Sequence, residues 1–322
     1  MSVKILHSIS ELAEIAGPVV LAAGVFDGFH LGHRAVIERA SADARSVGGT
    51  PVVVTFDPHP AAVLRPQSAP PLLTSTRHKI RLFGDAGVSH VLVLDFNAAF
   101  AAKPPELFVA ELAAACSPLR EICVGEDWAF GKDRTGNLAL LKSLGTKLGF
   151  DAVGISAVAV AGRAVSSTVI RTAVENGELA VAAQLLGRDF GVFGTVIEGH
   201  RLGRTLGFPT ANVRPESEQL PPNGVYAVRV LLDGKQIAGI ANVGVCPTIS
   251  GEEAQRLVEV HLFDFSGELY GCDLEATFLR FIRPEQKFPC LDALRTQIAS
   301  DVASVRAVKA CTGSGDIPVA DP

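Results

Sequence analysis

The chain has 322 residues, 48% of them apolar, and a formal charge of −5. That length allows two domains with sizeable cores, and the apolar content excludes wholesale disorder. The acidic balance argues against nucleic acid as a partner, although a local basic site is compatible with it.

Met1 to His7 carries no long apolar region or cleavage signature, and no apolar run is long enough to span a bilayer. A cytoplasmic chain with no membrane partner is expected; a homo-oligomer is left open. The six cysteines form no C-x-x-C pair and sit beside no histidines at zinc-ligand spacing. Buried thiols in a reducing compartment are expected.

Pro18 to Ala23 reads as a buried strand and Arg34 to Val47 as a helix. Between them lies Gly24-Val25-Phe26-Asp27-Gly28-Phe29-His30-Leu31-Gly32-His33. Glycines let backbone approach a ligand closely, and a helix N-terminus offers free N–H groups and a positive dipole end. Imidazoles there can donate to phosphate oxygens. The stretch therefore predicts a nucleoside triphosphate site, with zinc ligation or a plain structural turn as the alternatives for the histidine pair alone.

Pro51 to Phe56, Val88 to Phe96 and Leu119 to Val124 read as further strands, with helix-like stretches at Arg77 to Phe83 and Pro105 to Cys116. This alternation predicts a parallel sheet covered on both faces, with ligands beyond the carboxyl ends of its strands. Three loops fall there: the opening turn, Asp57-Pro58-His59-Pro60, and Gly125 to Gly131 with Asp127 and Trp128. Ser166, Ser167 and Thr168 then precede a helical run reaching Leu186, interrupted at Asn176-Gly177. That is an ordinary capped helix, or a second phosphate clamp with Arg171 one turn in.

From Gly187 the segments become short, β-rich and punctuated by Gly and Pro. Strands are expected at Phe193 to Ile197, Gly224 to Leu232, Ile237 to Val243, Val258 to Phe263 and Leu274 to Ile282, which suggests a small antiparallel barrel or sandwich. A last helix spans Cys290 to Lys309, ahead of a Gly/Pro-rich tail expected to be disordered. Gly199 to Asn212 is no P-loop: the glycine spacing is one residue short and Arg204 stands where the lysine should be. It reads as a Gly-rich loop entering a strand, or as a phosphate and metal site. In the latter, Arg204 meets phosphate, and Thr210 and Asn212 are hard oxygen donors suited to Mg²⁺.

The string G-x-F-D-G-x-H-x-G-H between strand and helix resembles the nucleotidyltransferase superfamily with its H-x-G-H signature. Gly207-Phe208-Pro209-Thr210-Ala211-Asn212 resembles the riboflavin kinase signature. With Asn242-Val243-Gly244, Glu259-Val260-His261-Leu262, Ile282-Arg283-Pro284-Glu285, Thr55-Phe56-Asp57-Pro58-His59-Pro60 and Ser166-Ser167-Thr168, the chain resembles the bacterial bifunctional riboflavin kinase/FAD synthetase family. The match runs from about Gly24 to Asp301.

The resemblance implies a Rossmann-like nucleotidyltransferase domain (1–186), a six-stranded riboflavin kinase barrel with a terminal helix (187–310) and a tail (311–322). It implies two reactions with ATP, riboflavin and FMN as substrates: riboflavin to FMN in the barrel, and FMN to FAD with release of pyrophosphate in the first domain. Glu259 matches the catalytic base, and Thr210 and Asn212 the Mg²⁺ ligands, with Gly203, Arg204, Pro209 and Arg283 around the kinase substrates. His30, His33, Ser166, Ser167, Thr168 and Arg171 match the phosphate contacts of the first domain, with Gly24, Phe26, Asp27, Gly28, Asp57 and Asp127 around the nucleotide or flavin. Asp27 and Asp57 either help place Mg²⁺ or fix turns, and core packing is the expected role of Trp128. Competing readings are a single surviving activity, a class I aminoacyl-tRNA synthetase-like enzyme, and a flavin-binding regulator.

Overall fold

A computed structural model describes residues 3–198, 203, 206–217, 219–232, 234–246 and 255–311. Arg204 and the tail beyond Cys311 lie outside the described residues. The chain divides into two compact units, residues 1–71 with 75–167, and residues 72–74 with 168–322.

The first unit comprises β1 (Lys4–Leu6), β2 (Val19–Ala23), α1 (Leu31–Ser46), β3 (Thr50–Asp57), α2 (Pro60–Leu64), α3 (Thr76–Asp85), β4 (His90–Asp95), α4 (Ala98–Ala101), α5 (Pro105–Ala115), β5 (Leu119–Gly125), α6 (Leu138–Leu148), β6 (Asp151–Ile155) and the small hairpin β7 (Ala159–Val160) and β8 (Arg163–Ala164). The larger sheet runs β1-β4-β3-β2-β5-β6, and every pairing in it is parallel. Every residue of β2 is buried, as a central parallel strand requires. One face packs Leu21, Val54 and Ile122 against α5 and α6, the other Val20, Val53 and Cys123 against α1 and α3. After β2, β3 and β4 the chain returns to place β5 on the other flank of β2. The order therefore reverses at β2, where open α/β sheets form their ligand crevice.

Two elements of this unit carry weak sequence signals. The strand β6 is a half-buried edge strand containing Gly154, so its alternation is poor. The helix α6 contains Gly145, whose absent Cβ would stand 2.5 Å from the Phe150 carbonyl oxygen. Cys116 and Cys123 are buried as expected, and burial pushes the Cys116 thiol up to about 11. Cys290 is exposed and Cys272 half-buried, so the expectation of buried thiols fails for those two.

The second helical stretch is broken into α7 (Ser167–Glu175) and α8 (Leu179–Leu186) at Asn176-Gly177, with Gly177 at φ 78°. The division between the units falls in the first turn of α7. Six antiparallel strands follow: β9 (Gly191–Ile197), β10 (Ala211–Pro215), β11 (Gly224–Leu232), β12 (Lys235–Cys246), β13 (Gln255–Leu262) and β14 (Asp273–Arg283). They close into a barrel in the order β10-β13-β12-β11-β14-β9, which leaves no free edge. Val213, Val258, Val260, Leu274, Ala276 and Phe278 fill it at alternate positions. The terminal helix α9 (Leu291–Cys311) lays Ile298, Val302 and Val305 against Ala227 and Ile240 on the outside.

Candidate functional sites

In the α/β unit the turn after β2 is tightly determined. Gly24 hydrogen-bonds the Val54 carbonyl at 3.1 Å. Its absent Cβ would stand 2.9 Å from the Phe26 ring, so only glycine admits that ring. Phe26 and Phe29 adopt φ 55° and 39°, left-handed values that non-glycine residues rarely take, and both are buried. Phe83 of α3 meets both rings edge-on at 5.8 and 5.1 Å. Asp27 is 2% exposed.

His30 is the N-cap of α1, and its Nδ1 accepts the His33 amide N–H at 3.3 Å. An accepting Nδ1 puts the proton of a neutral imidazole on Nε2, leaving that atom as a donor. The His33 ring stacks on the His30 ring at 3.5 Å and meets Phe26 edge-on at 5.3 Å. Two imidazoles thus sit at a helix N-terminus, the end that favours anions. Ser167 Oγ donates to the Asp27 carbonyl at 2.9 Å, which ties the start of α7 to this turn.

Of the expected residues, Gly24, Phe26, Asp27, Gly28, His30, His33 and Ser167 are therefore gathered at one place. Asp57 ends β3, beside β2 in the sheet, and Asp127 is exposed in the turn after β5 on the other side. Trp128 stacks on Phe130 at 4.4 Å and packs on the core, in line with the packing role. Ser166 precedes α7, and Thr168 and Arg171 lie on the part of α7 grouped with the second unit. The residue that sequence reasoning missed is Lys79. It is 3% exposed, and its Nζ donates to the Val25 carbonyl at 3.1 Å.

On the barrel the decisive feature is a row of side chains across three strands. Asn212 of β10 pairs in register with Glu259 of β13, which pairs with Asn242 of β12. Directly opposed residues share a sheet face, here the outer one, because Val258 and Val260 point inward. A cavity of about 310 Å³ opens on this face, lined by Gly203, Thr210, Asn242, Glu259, His261 and Arg283 and roofed by Leu294 and Ile298 of α9. The Pro209 carbonyl lies 2.9 Å from His261 Nδ1, which must be the donor. Gly203 accepts from the Phe208 N–H at 2.8 Å, and its absent Cβ would stand 3.0 Å from Thr210 Oγ1.

The Arg283 guanidinium binds Asp301, which is 4% exposed, through Nε at 3.0 Å and Nη2 at 2.9 Å. Its position at the cavity wall is thus fixed from α9. Asn242 and Asn223 both donate to Glu285, at 3.2 and 3.1 Å. Asn242, His261 and Glu285 stood inside quoted motifs, but their meeting depends on strand register. Asp301 carried no sequence signal beyond the polar side of a helix.

A parallel α/β unit whose strand-to-helix turn carries two imidazoles, followed by a closed barrel with a carboxylate between two asparagines, has the features of a two-centre transferase. The FAD synthetase family model matches residues 12–169 and the riboflavin kinase family model residues 186–309. The bifunctional riboflavin kinase/FMN adenylyltransferase of Escherichia coli (strain K12) is 38% identical over 94% of this chain and 95% of the relative. That of Pseudomonas fluorescens is 39% identical over 90% and 93%. A crystal structure of a protein called macrolide-efflux protein from Streptococcus pneumoniae superposes with a TM-score of 0.79 at 29% identity, over 95% of this chain and 99% of that one. Among the described residues, no helix is long and apolar enough to cross a membrane. The chain belongs to the bifunctional riboflavin kinase/FMN adenylyltransferase family.

Proposed function

We propose that this chain converts riboflavin to FAD in two ATP-dependent steps, the kinase step in a domain of residues 187–310 and the adenylyl transfer in one of residues 1–186. The observation that carries the reading is the Asn212–Glu259–Asn242 row, of which Glu259 and Asn242 line the cavity, in the same chain as the histidine-capped turn after β2.

In the kinase step the primary ribityl hydroxyl of riboflavin attacks the γ-phosphorus of ATP. Glu259 takes the hydroxyl proton, the new O–P bond forms, the bond from γ-phosphorus to the bridging oxygen breaks, and ADP leaves. Thr210 Oγ1 beside Gly203, with the Asn212 amide oxygen in the next strand, makes a donor set of hard oxygens that fits a divalent cation such as Mg²⁺. Such a cation supplies charge neutralisation on the phosphates. Gly203 and Arg283 line the cavity, and Gly203, Arg204 and Pro209 keep the nucleotide role that the resemblance assigns them.

In the second step an oxygen of the FMN phosphate attacks the α-phosphorus of ATP, and the bond to the β-phosphate breaks to release pyrophosphate. This chemistry asks for charge stabilisation on phosphorus, not for a protein nucleophile. The α1 N-terminus, His30 through Nε2–H, and His33 supply it. Ser166, Ser167, Thr168 and Arg171 keep the phosphate roles that the resemblance assigns them, and Asp57 and Asp127 border the nucleotide or flavin.

Incubation with riboflavin and Mg-ATP, followed by resolution of the flavins, tests the reading. FMN and then FAD are expected. FMN without FAD, even when FMN is supplied, would remove the adenylyl-transfer half. Tight flavin binding without ATP consumption would remove both.

A further inference from the structure

Lys79 lies in α3, whose N-cap Ser75 accepts the His78 N–H at 3.1 Å. Its side chain runs under the turn after β2. The Nζ donates to the Val25 carbonyl at 3.1 Å and stands 3.5 Å from Thr55 Oγ1, while that hydroxyl donates to the same carbonyl at 3.0 Å. Two donors from two elements thus converge on one peptide oxygen. A trans peptide sets its C=O and N–H on opposite sides. Holding the Val25 carbonyl toward Lys79 therefore turns the Phe26 N–H to the side of the turn away from it.

Burying an ammonium is expensive, and methionine would fill a similar volume without that penalty. Phe26 and Phe29 hold left-handed backbone, a state that persists only where the surroundings over-determine it. The helix α3 supplies that determination twice, through Phe83 on both rings and through Lys79 on the carbonyl. Burial lowers the Lys79 pKa, and the carboxylates of Asp27 and Asp57 only partly oppose this, so the geometry of the Nζ–carbonyl bond, and not the charge, carries the clamp.

We infer that Lys79 is a positioning residue for adenylyl transfer, clamping the Val25 carbonyl so that the turn from Phe26 to His30 keeps its backbone and imidazole donors aligned on the α-phosphate. The inference rests on the adenylyl-transfer reading above. Misplacement of such a constellation by about 1 Å can cost about 10²-fold in rate.

The test is Lys79→Met in the full chain, with FMN adenylylation and riboflavin phosphorylation measured on the same preparation. The expected result is a loss of about 10²-fold in adenylyl-transfer kcat, with the KM values for ATP and FMN moving less than about threefold and the kinase unchanged. A role confined to stability would leave kcat of the folded fraction intact. Adenylyl-transfer kcat within threefold of wild type would overturn the inference. If Lys79→Met does not fold, Thr55→Val decides. It removes the second donor to the same carbonyl, a drop in kcat of about tenfold supports the clamp, and an unchanged kcat overturns it. Absence of FAD formation by the wild-type protein would overturn the function reading and this inference together. Full FAD formation by Lys79→Met would overturn the inference alone.

Discussion

Glu259 shows how neighbours set one carboxylate apart from others on a strand. Strand alternation turns it outward, away from Val258 and Val260, and register sets it between two asparagines on a cavity wall. Glu259→Gln keeps the shape and removes the proton acceptor proposed for the kinase step. Riboflavin phosphorylation should fall by about 10²–10⁴-fold, while FAD formation from supplied FMN stays at the wild-type rate. Initial rates with each flavin check this, and full kinase activity in the variant would remove Glu259 as the base.

Lys79 offers a residue-scale test in stability. Burial holds its ammonium below the ordinary value of 10.5, and Asp27 and Asp57 only partly oppose this. Between the lowered folded value and 10.5 the unfolded chain binds more protons than the folded one. Stability therefore rises with pH across that window. Lys79→Met lacks this contribution, so the stability difference should move in favour of the wild type as pH climbs toward 10.5. Urea denaturation of both proteins at several pH values measures it, and a difference that does not change with pH would contradict the shift.

At the scale of elements, the barrel depends on close backbone approach and on the docking of α9. Gly194 of β9 pairs in register with Pro215 of β10, and a Cβ on it would stand 2.1 Å from the Arg214 carbonyl oxygen. Gly194→Ala must therefore separate β9 from β10, next to the strand that carries Asn212, at a cost of about 1–3 kcal/mol. The melting temperature of the barrel and the kinase rate should fall together, and a variant as stable as wild type would show that the pair has slack.

The helix α9 is held to the barrel by Arg283, which is bonded to the buried Asp301; Gln297, one turn earlier in the same helix, donates to that carboxylate as well. Asp301→Ala leaves a largely buried guanidinium without its carboxylate, and the expected loss is up to about 3 kcal/mol. Because α9 roofs the cavity, KM for riboflavin should rise more than KM for ATP. Steady-state kinetics with each substrate varied distinguishes this from equal weakening of both.

For the whole molecule, two centres in one chain predict complementation between variants. Glu259→Gln alone and His33→Ala alone should both fail to turn riboflavin into FAD at a useful rate, the first for want of FMN and the second with FMN accumulating. Their mixture should restore FAD, because FMN released by one protein is the substrate of the other. Chelation of divalent cations should stop both steps, and added Mg²⁺ should restore them.

Much of this molecule was open to the sequence alone, and the reason is local. Buried parallel strands, capped helices and Gly-rich turns are specified by residues adjacent in the chain, so β2 with its turn, α7 broken at Asn176-Gly177, and most barrel strands follow from pattern. The H-x-G-H turn and the Gly-Phe-Pro-Thr-Ala-Asn segment are contiguous strings, and through the resemblance they carry they pointed to both reactions. The edge strand β6 did not follow, since a half-buried strand with a glycine has little alternation to show. What only the tertiary structure decided is whatever depends on register and burial between distant segments. Glu259 stands between Asn212 and Asn242 because three strands pair that way. Arg283 meets Asp301 because α9 folds back on the barrel. Lys79 looks like an ordinary polar position on an amphipathic helix until α3 carries it beneath the Val25 carbonyl, 54 residues away in sequence. A side chain's type is written in the chain, whereas its solvation and its neighbours exist only after packing.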